Sequence, residues 1–223
     1  MTLADYLPVY RIRLRTERLE LRVPDLDDLV ALADQAAAGI HDPSFMPFAE
    51  PWTDAPPLER GRATVQYQMR AVMSAAPEDW TLPFVAVHEG AVIGMQEIAA
   101  KEFALTREVL TGSWLGLAHH GRGLGTEMRA AVLAFAFDGL GAEWATSASM
   151  EGNGPSQGVS RRLGYRADGI AHLVVKGERR TERRWRLGRG DWEAHREHPV
   201  AIDGLDDAAL AALGLGPAEP PAA

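Results

Sequence analysis

The residues best placed for chemistry begin with a run of glycines, Gly121-Arg122-Gly123-Leu124-Gly125, with His120 before it and Thr126 after it. Where such a turn opens onto a helix, free backbone N–H groups and the positive end of the helix dipole make an anion site suited to a pyrophosphate. Glycines let a phosphate approach the backbone with no Cβ in the way. Plain turn geometry is the competing reading of the same residues. A Walker loop fits worse, because Gly125 is followed by Thr126-Glu127 with no lysine, and a dinucleotide fingerprint is expected at an early strand rather than mid-chain. Candidate bases come next: Glu97 and Glu108 on central strands, and Glu151 just past a strand end. A glutamate flanked by apolar residues, as in Met95-Gln96-Glu97-Ile98, has its pKa raised by desolvation unless it sits on the solvated face. Seven histidines include no H-E-x-x-H or comparable pair, so no metal site is expected.

These groups need elements to hold them. Trp114, Leu115 and Leu117 end a strand over 108–117, and Leu124, Met128, Val132, Phe135 and Gly139 follow at the spacing of one helix face. Upstream, residues 11–23 alternate as a strand with a break near Thr16. A helix then starts at Pro24-Asp25 with a stripe of Leu26, Leu29, Val30, Leu32 and Ala33, and Gly39 ends it. Residues 41–57 carry five prolines among Phe45, Met46, Phe48 and Trp52, which excludes a continuing helix and leaves either a wall over a binding site or a loop anchored by its own apolar side chains. A helix over 58–75 through Val65, Met69 and Val72 precedes strands 82–88 and 91–99, joined by the hairpin signal Glu89-Gly90. A short strand at 144–148 leads to a helix opened by Pro155, with Asn153 or Gly154 as its cap. Strands at 165–175 and 181–187 close the pattern, and a further helix begins at Asp191.

The 223 residues are 46% hydrophobic and 24% charged, enough for one well-packed domain and short for two. We expect a single domain over 1–223 with its core at about 11–198, a loose arm over 1–10 and a disordered tail over 213–223. The absence of cysteine excludes disulfides, thiolate metal sites and a cysteine nucleophile. No run of apolar residues could span a bilayer and no signal-like segment opens the chain, so a cytoplasmic protein without membrane partners is expected. A net charge of −8 argues against general nucleic-acid binding. The charge is uneven, with fourteen Lys and Arg against nine Asp and Glu over 101–190, as an anionic ligand would favour.

His120-Gly121-Arg122-Gly123-Leu124-Gly125 resembles the Q/R-x-x-G-x-G/A signature of the GCN5-related N-acetyltransferases, with His120 in the place usually held by Gln or Arg. Gly112-Ser113-Trp114-Leu115 is similar to the G-Y-W-L strand of the branch that includes ribosomal-protein N-terminal acetyltransferases. Asn153-Gly154-Pro155-Ser156 with Arg162-Leu163-Gly164-Tyr165 is similar to its N-x-x-S…K-L-G-F segment, and Thr16-Glu17-Arg18-Leu19-Glu20-Leu21-Arg22 to its opening strand. The resemblance covers about residues 12–187. It implies an α/β fold: a mostly antiparallel mixed sheet with one splayed strand pair, flanked by helices. It also implies a coenzyme A pyrophosphate loop from His120 to Thr126, and a pantetheine arm bonding the backbone near Leu115 and Leu117, with Asn153 beside the cofactor.

Implied with the fold is transfer of an acyl group, acetyl by default, from acetyl-CoA or another acyl-CoA to a primary amine by direct attack, without a metal. The acceptor is left as a peptide N-terminus, a lysine or a small molecule, and a homo-oligomer is left open. Such a reaction needs a neutral amine, a stabilised oxyanion and protonation of the leaving thiolate. The resemblance implies Ser156 as the thiolate acid, the alternative being that it only hydrogen-bonds the backbone in a helix first turn. The tyrosine that many family members use four residues later is Ser160 here, which keeps a non-catalytic CoA-binding sensor as an alternative. Succinyl-CoA is a further alternative, because Arg183, Arg184 and Arg186 on the last strand could meet a free carboxylate, or else face solvent beside Glu178 and Glu182.

Overall fold

The computed structural model describes residues 1–216. The start of the chain is ordered: α1 (Leu3–Tyr6) and a short turn lead to Val9, which is buried. Strands β1 (Arg13–Arg15) and β2 (Leu19–Arg22) form a hairpin broken where the sequence suggests, at Thr16, whose N–H bonds the carbonyl of Leu19. Helix α2 (Leu26–Ala38) begins on a reciprocal cap between Asp25 and Asp28. The irregular segment then leads to α3 (Pro57–Met73). Strands β3 (Asp79–His88) and β4 (Ala91–Lys101) meet at Glu89-Gly90, both at positive φ as a tight hairpin turn requires. The turn α4 (Phe103–Thr106), β5 (Glu108–Leu115), α5 (Leu124–Ala134) and β6 (Trp144–Met150) follow. The chain continues with α6 (Gly154–Arg162), β7 (Arg166–Val175), β8 (Glu178–Gly188) and α7 (Arg189–His195), then β9 (Ala201–Asp203) and α8 (Asp207–Ala212).

Among the described residues, nine strands join one mixed sheet in the order β7-β8-β6-β5-β4-β3-β2-β1-β9. Every pairing is antiparallel except β5 with β6, whose parallel arrangement needs a crossover, supplied by α5 and the wide turn at Phe135–Gly139. Helices α2 and α3 cover one face over β3 and β4, where Leu32, Val85, Val87, Val92 and Met95 form a small core. Helix α5 lies against β2, β4 and β5 and is buried almost all round in the larger core, with Phe84, Phe135, Trp80 and Trp192 fully enclosed.

Three expectations are corrected. In α2, Val30 is exposed and the buried stripe is Leu29, Leu32 and Ala36, because Val30 and Leu32 stand roughly 200° apart on a helix and cannot share a face. In α3, the buried stripe is Gly61, Thr64, Gln68 and Val72 rather than Val65, Met69 and Val72. Gly61 explains this: a Cβ there would meet the Ala33 carbonyl oxygen at 3.2 Å, so the missing side chain lets α3 settle on α2. The expected core limit at 198 falls inside the structure, since β9 pairs with β1 and Leu213 is fully buried, its carbonyl accepting from Trp80 Nε1 at 3.2 Å. Residues 213–216 of the expected tail are thus ordered, and 217–223 lie outside the described residues.

Candidate active site

The parallel pairing of β5 with β6 runs only from Glu108 opposite Trp144 to Thr111 opposite Ser147. Beyond that point β5 stays with β4 as far as Leu115, while β6 stays with β8 as far as Met150. The two strands therefore open a V. Gly116 donates its N–H to Ile93 of β4 at 2.8 Å, and backbone groups alternate along a strand, so those of Leu115 and Ser113 point into the opening. Unpaired strand edges of this kind accept an amide-bearing arm as a pseudo-strand. The His120 ring lies 3.0 Å from the Leu115 carbonyl oxygen, and so marks the mouth of the V. Leu117 does not belong to this edge. The strand stops at Leu115, the Leu117 N–H bonds the Gly39 carbonyl, and its own carbonyl accepts from the His120 N–H.

The glycine turn closes the wide end of the V. Gly121 and Gly123 have φ of 72° and 79°, which other residues adopt only with strain. Among the described residues, the N–H groups from Gly121 to Gly125 donate to no protein acceptor. A Cβ at Gly121 would meet nothing within 4 Å, so the cradle is open on that side. The turn is bedded on a pair the sequence reading did not single out. Glu127, 1% exposed, accepts from Thr16 Oγ1 at 2.6 Å and from the Arg18 backbone N–H and side chain at 3.0 and 2.7 Å. Burial pushes the Glu127 carboxyl up, but the bonds from Thr16 and Arg18 outweigh it and hold it below its ordinary value. Arg18 also donates to the Arg122 carbonyl at 3.1 Å, tying the turn to the first hairpin. Arg122 reaches His88 at 3.3 Å. Beside it His119 is held below the usual histidine range, by burial first and then by Arg122, His88 and His120.

On the face covered by α2 and α3, Glu97 of β4 stands opposite Gly112 of β5. A Cβ at position 112 would come within 2.6 Å of Glu97 Oε1, so the glycine makes room for the carboxyl beside the V. Burial pushes Glu97 above its ordinary pKa, only partly offset by the hydrogen bond from Tyr67 Oη at 2.5 Å. Tyr67 in turn is pushed well above the usual phenol range by burial and by the Glu97 charge. The rotation of α3 that seats Gly61 on Ala33 is the one that brings Tyr67 here.

The proline-rich segment walls this face. Trp52 packs on Trp114 at 6.0 Å between ring centroids, and Phe45 lies 3.2 Å from where a Cβ of Gly152 would be. Asp54 pairs with Lys176 of the β7–β8 turn at 2.7 Å. His41 is spent inside the segment on Thr53, 2.7 Å away.

The other candidates separate. Ser156 is half-buried in the first turn of α6, where its N–H is capped by Asn153 Oδ1 at 3.2 Å. Asn153 is thus a helix cap by geometry. Ser160 is buried, accepts from Arg129 at 3.0 Å and donates to the Ser156 carbonyl. Glu108 sits at the closed end of the V and is spent on Arg186 at 2.6 Å, which also stacks over Trp144 at 4.4 Å. It is removed from the candidate bases, because the alternation that put it on a central strand did not tell which end of that strand opens. Glu151 pairs with Arg183 at 2.7 Å. Arg184 is exposed and makes no direct ion pair among the described residues, although its charge acts on Glu182 on the same sheet face. No group of three or more His, Asp or Glu is placed to hold a metal ion, and no helix is long and apolar enough to cross a membrane, among the described residues.

Known proteins share this fold. The fold is similar to a GCN5-related N-acetyltransferase from Brucella melitensis, at TM-score 0.65 and 21% identity over 83% of this chain and 82% of that one. It is similar to a GNAT-family acetyltransferase from Bacillus anthracis, at 0.64 and 16% over 80% and 99%. It is similar to Mycobacterium smegmatis RimJ in complex with CoA-disulfide, at 0.63 and 18% over 93% and 96%. The family model described as the acetyltransferase (GNAT) domain matches residues 18–166, which take in β2, both strands of the V and the glycine turn. With both the motif and the splayed sheet accounted for, the chain belongs to the GNAT family of acyl-CoA-dependent N-acyltransferases.

Proposed function

We propose that this protein transfers an acetyl group from acetyl-CoA to a primary amine by direct attack, with Glu97 as the base. The observation that carries this is Glu97 itself, a carboxyl raised by burial, hydrogen-bonded to Tyr67 and standing beside the open end of the sheet. The N–H groups from Gly121 to Gly125 hold the pyrophosphate, and the backbone of Ser113 and Leu115 holds the pantetheine arm. Glu97 takes a proton from the amine, directly or through one water, so that its lone pair is free at the moment of attack. Orientation of both substrates between the proline-rich wall and the V supplies much of the remaining rate. Ser156 opens α6, past the end of β6, and is the hydroxyl assigned to return a proton to the sulfur as coenzyme A is released. The structural likeness to a RimJ solved with CoA-disulfide supports the donor class, and fits the branch that the sequence resembles.

One observation favours a second donor. Arg184 lies on the same sheet face as Glu97, exposed and without a direct ion pair, whereas Arg183 and Arg186 are paired. A succinyl carboxylate could use it. Thiol release from acetyl-CoA and from succinyl-CoA, measured against a panel of N-terminal peptides, lysine peptides and polyamines, tests both. Equal or better turnover with acetyl-CoA supports the first reading. A succinyl preference that Arg184→Ala abolishes supports the second, and tight CoA binding without turnover of any amine overturns both in favour of a sensor.

A further inference from the structure

The vertex of the V holds a buried cation without a counter-ion. Arg129 of α5 is 4% exposed, and its guanidinium is met only by hydroxyls: Nη1 donates to Ser160 Oγ at 3.0 Å and Nη2 to Ser113 Oγ at 3.3 Å. Its Nε is buried with no partner, and no carboxylate pairs with it among the described residues. Burial disfavours its charge, and the neighbouring Tyr165 hydroxyl, itself 3.3 Å from Thr111 Oγ1, only partly offsets this. Buried charges are ordinarily paired, and leaving one unpaired costs several kcal/mol. Such a cost is tolerated where an anion is to be met.

The geometry says which anion. Ser113 belongs to β5, just past its last pairing with β6, and Ser160 to α6, which follows β6, so Arg129 links β5 to that helix close to where the two strands part. An arm entering at the glycine turn and lying along Leu115 and Ser113 ends at this point. Glu97 stands opposite Gly112 and Gln96 opposite Ser113, and successive residues of a strand face opposite ways. Glu97 and Arg129 thus lie on opposite sides of the sheet, one on the side of the attacking amine and the other on the side of departure.

We propose that Arg129 is a further catalytic residue, holding the coenzyme A sulfur as it leaves, in the role that a protonating tyrosine would otherwise take at the position of Ser160. This inference rests on the acyl-transfer reading above. The amine nitrogen bonds the thioester carbon and the carbonyl π pair moves to oxygen. Collapse restores the C=O bond and breaks C–S, the bonding pair leaving on sulfur as thiolate. Nitrogen loses two protons over the cycle: Glu97 takes the first from the ammonium before attack and passes it to solvent water, and the restored carboxylate takes the second as the intermediate collapses. Arg129 stays protonated throughout, since a guanidinium does not deprotonate in proteins, and it stabilises the thiolate as an ion pair until release.

The test is the ionisation of the thiol of coenzyme A bound to the full chain, followed by thiolate ultraviolet absorbance as pH is raised. The reference is free coenzyme A titrated in the same buffer. Bound to the unmodified protein, its thiol should titrate clearly lower. Arg129→Met should abolish the shift, lower kcat by about a hundredfold, and leave coenzyme A affinity within a few-fold. Arg129→Lys should retain part of the shift, and an acyl donor with a more acidic thiol should recover part of the rate lost in Arg129→Met. A bound thiol that titrates at or above the free value overturns the inference from the unmodified protein alone, whatever the variants do. Coenzyme A binding and acyl transfer with an unshifted thiol would sink this role while leaving the proposed function intact. Failure to bind coenzyme A would sink both.

Discussion

The proposed donor half and acceptor half of this site are built from different materials. The donor half is backbone: free N–H groups from Gly121 to Gly125, and the open edge of β5 at Ser113 and Leu115. The acceptor half is side chains from separate segments: Glu97 on β4, Tyr67 on α3, Trp52 in the proline-rich wall and Arg184 on β8. A backbone site needs only the right turn and the right strand end, so one short motif can specify it. A side-chain site depends on the rotation and docking of each element, and one helix turned by a single residue would dismantle it. This difference predicts that the donor half tolerates side-chain change but not backbone change, with the reverse holding for the acceptor half.

Replacement of Glu97 by Gln, which keeps its shape, is the strongest challenge to that contrast. It should lower kcat/KM about 10²- to 10⁴-fold and leave coenzyme A affinity unchanged, as read by amine saturation kinetics beside calorimetric binding. The unmodified enzyme should gain activity as pH rises through the Glu97 pKa. Burial places that pKa above the ordinary 4.5, and only the ionised carboxylate accepts a proton. If Glu97→Gln keeps its rate, the base lies elsewhere and the acceptor half has been misassigned.

Gly123→Val is the matching challenge to the donor half. Valine at a φ of 79° carries strain of roughly 1–3 kcal/mol, so coenzyme A affinity should fall about tenfold or more while circular dichroism shows the fold retained. Undiminished affinity would remove the turn from the cofactor site.

Tyr67→Phe sharpens the acceptor half with a smaller effect. The Tyr67 hydrogen bond favours the ionised form of Glu97 and lowers its pKa against the larger effect of burial. Removing it should raise that pKa further, so the acidic limb of the pH–rate profile moves to higher pH while the plateau changes little. A limb that stays in place would mean that another group titrates there.

Glu108→Gln should do least. The Glu108 carboxylate is partly exposed and spent on Arg186 at the closed end of the V, and such pairs contribute about 0–1 kcal/mol. Turnover should stay within about twofold, since no step of the transfer passes through it. A hundredfold loss would show that the base is at the wrong end of our site.

Much of this architecture could be read locally. Glu89-Gly90, the Asn153 cap, and the glycines at 121 and 123 each adopt a conformation dictated by residues a few positions away, and short-range sterics and hydrogen bonding leave few alternatives. The strands that build the V were visible for the same reason, as alternation and apolar runs bounded by turns. Local pattern failed where a contact spans the chain. Glu127 is an ordinary glutamate in a helix first turn until Arg18, 109 residues earlier, is brought beside it. The stripe of α3 was misplaced because Gly61 acts only through Ala33 of another helix. Leu213 looked like the start of a loose tail because its partner, Trp80, lies 133 residues away.

The sequence by itself determined the order of elements, the glycine cradle and the kinship that goes with them, because these are set by backbone preferences and short motifs. Tertiary structure alone set the two candidate carboxylates apart. Glu97 and Glu108 are both strand glutamates, yet one lies beside the opening under Tyr67 and the other at the closed end against Arg186. It alone also decided that Arg129, an unremarked helical arginine, is buried at the vertex without an anion. The physical reason is common to both. A titratable side chain takes its chemistry from desolvation and from the charges around it, and these exist only once distant segments have been packed together.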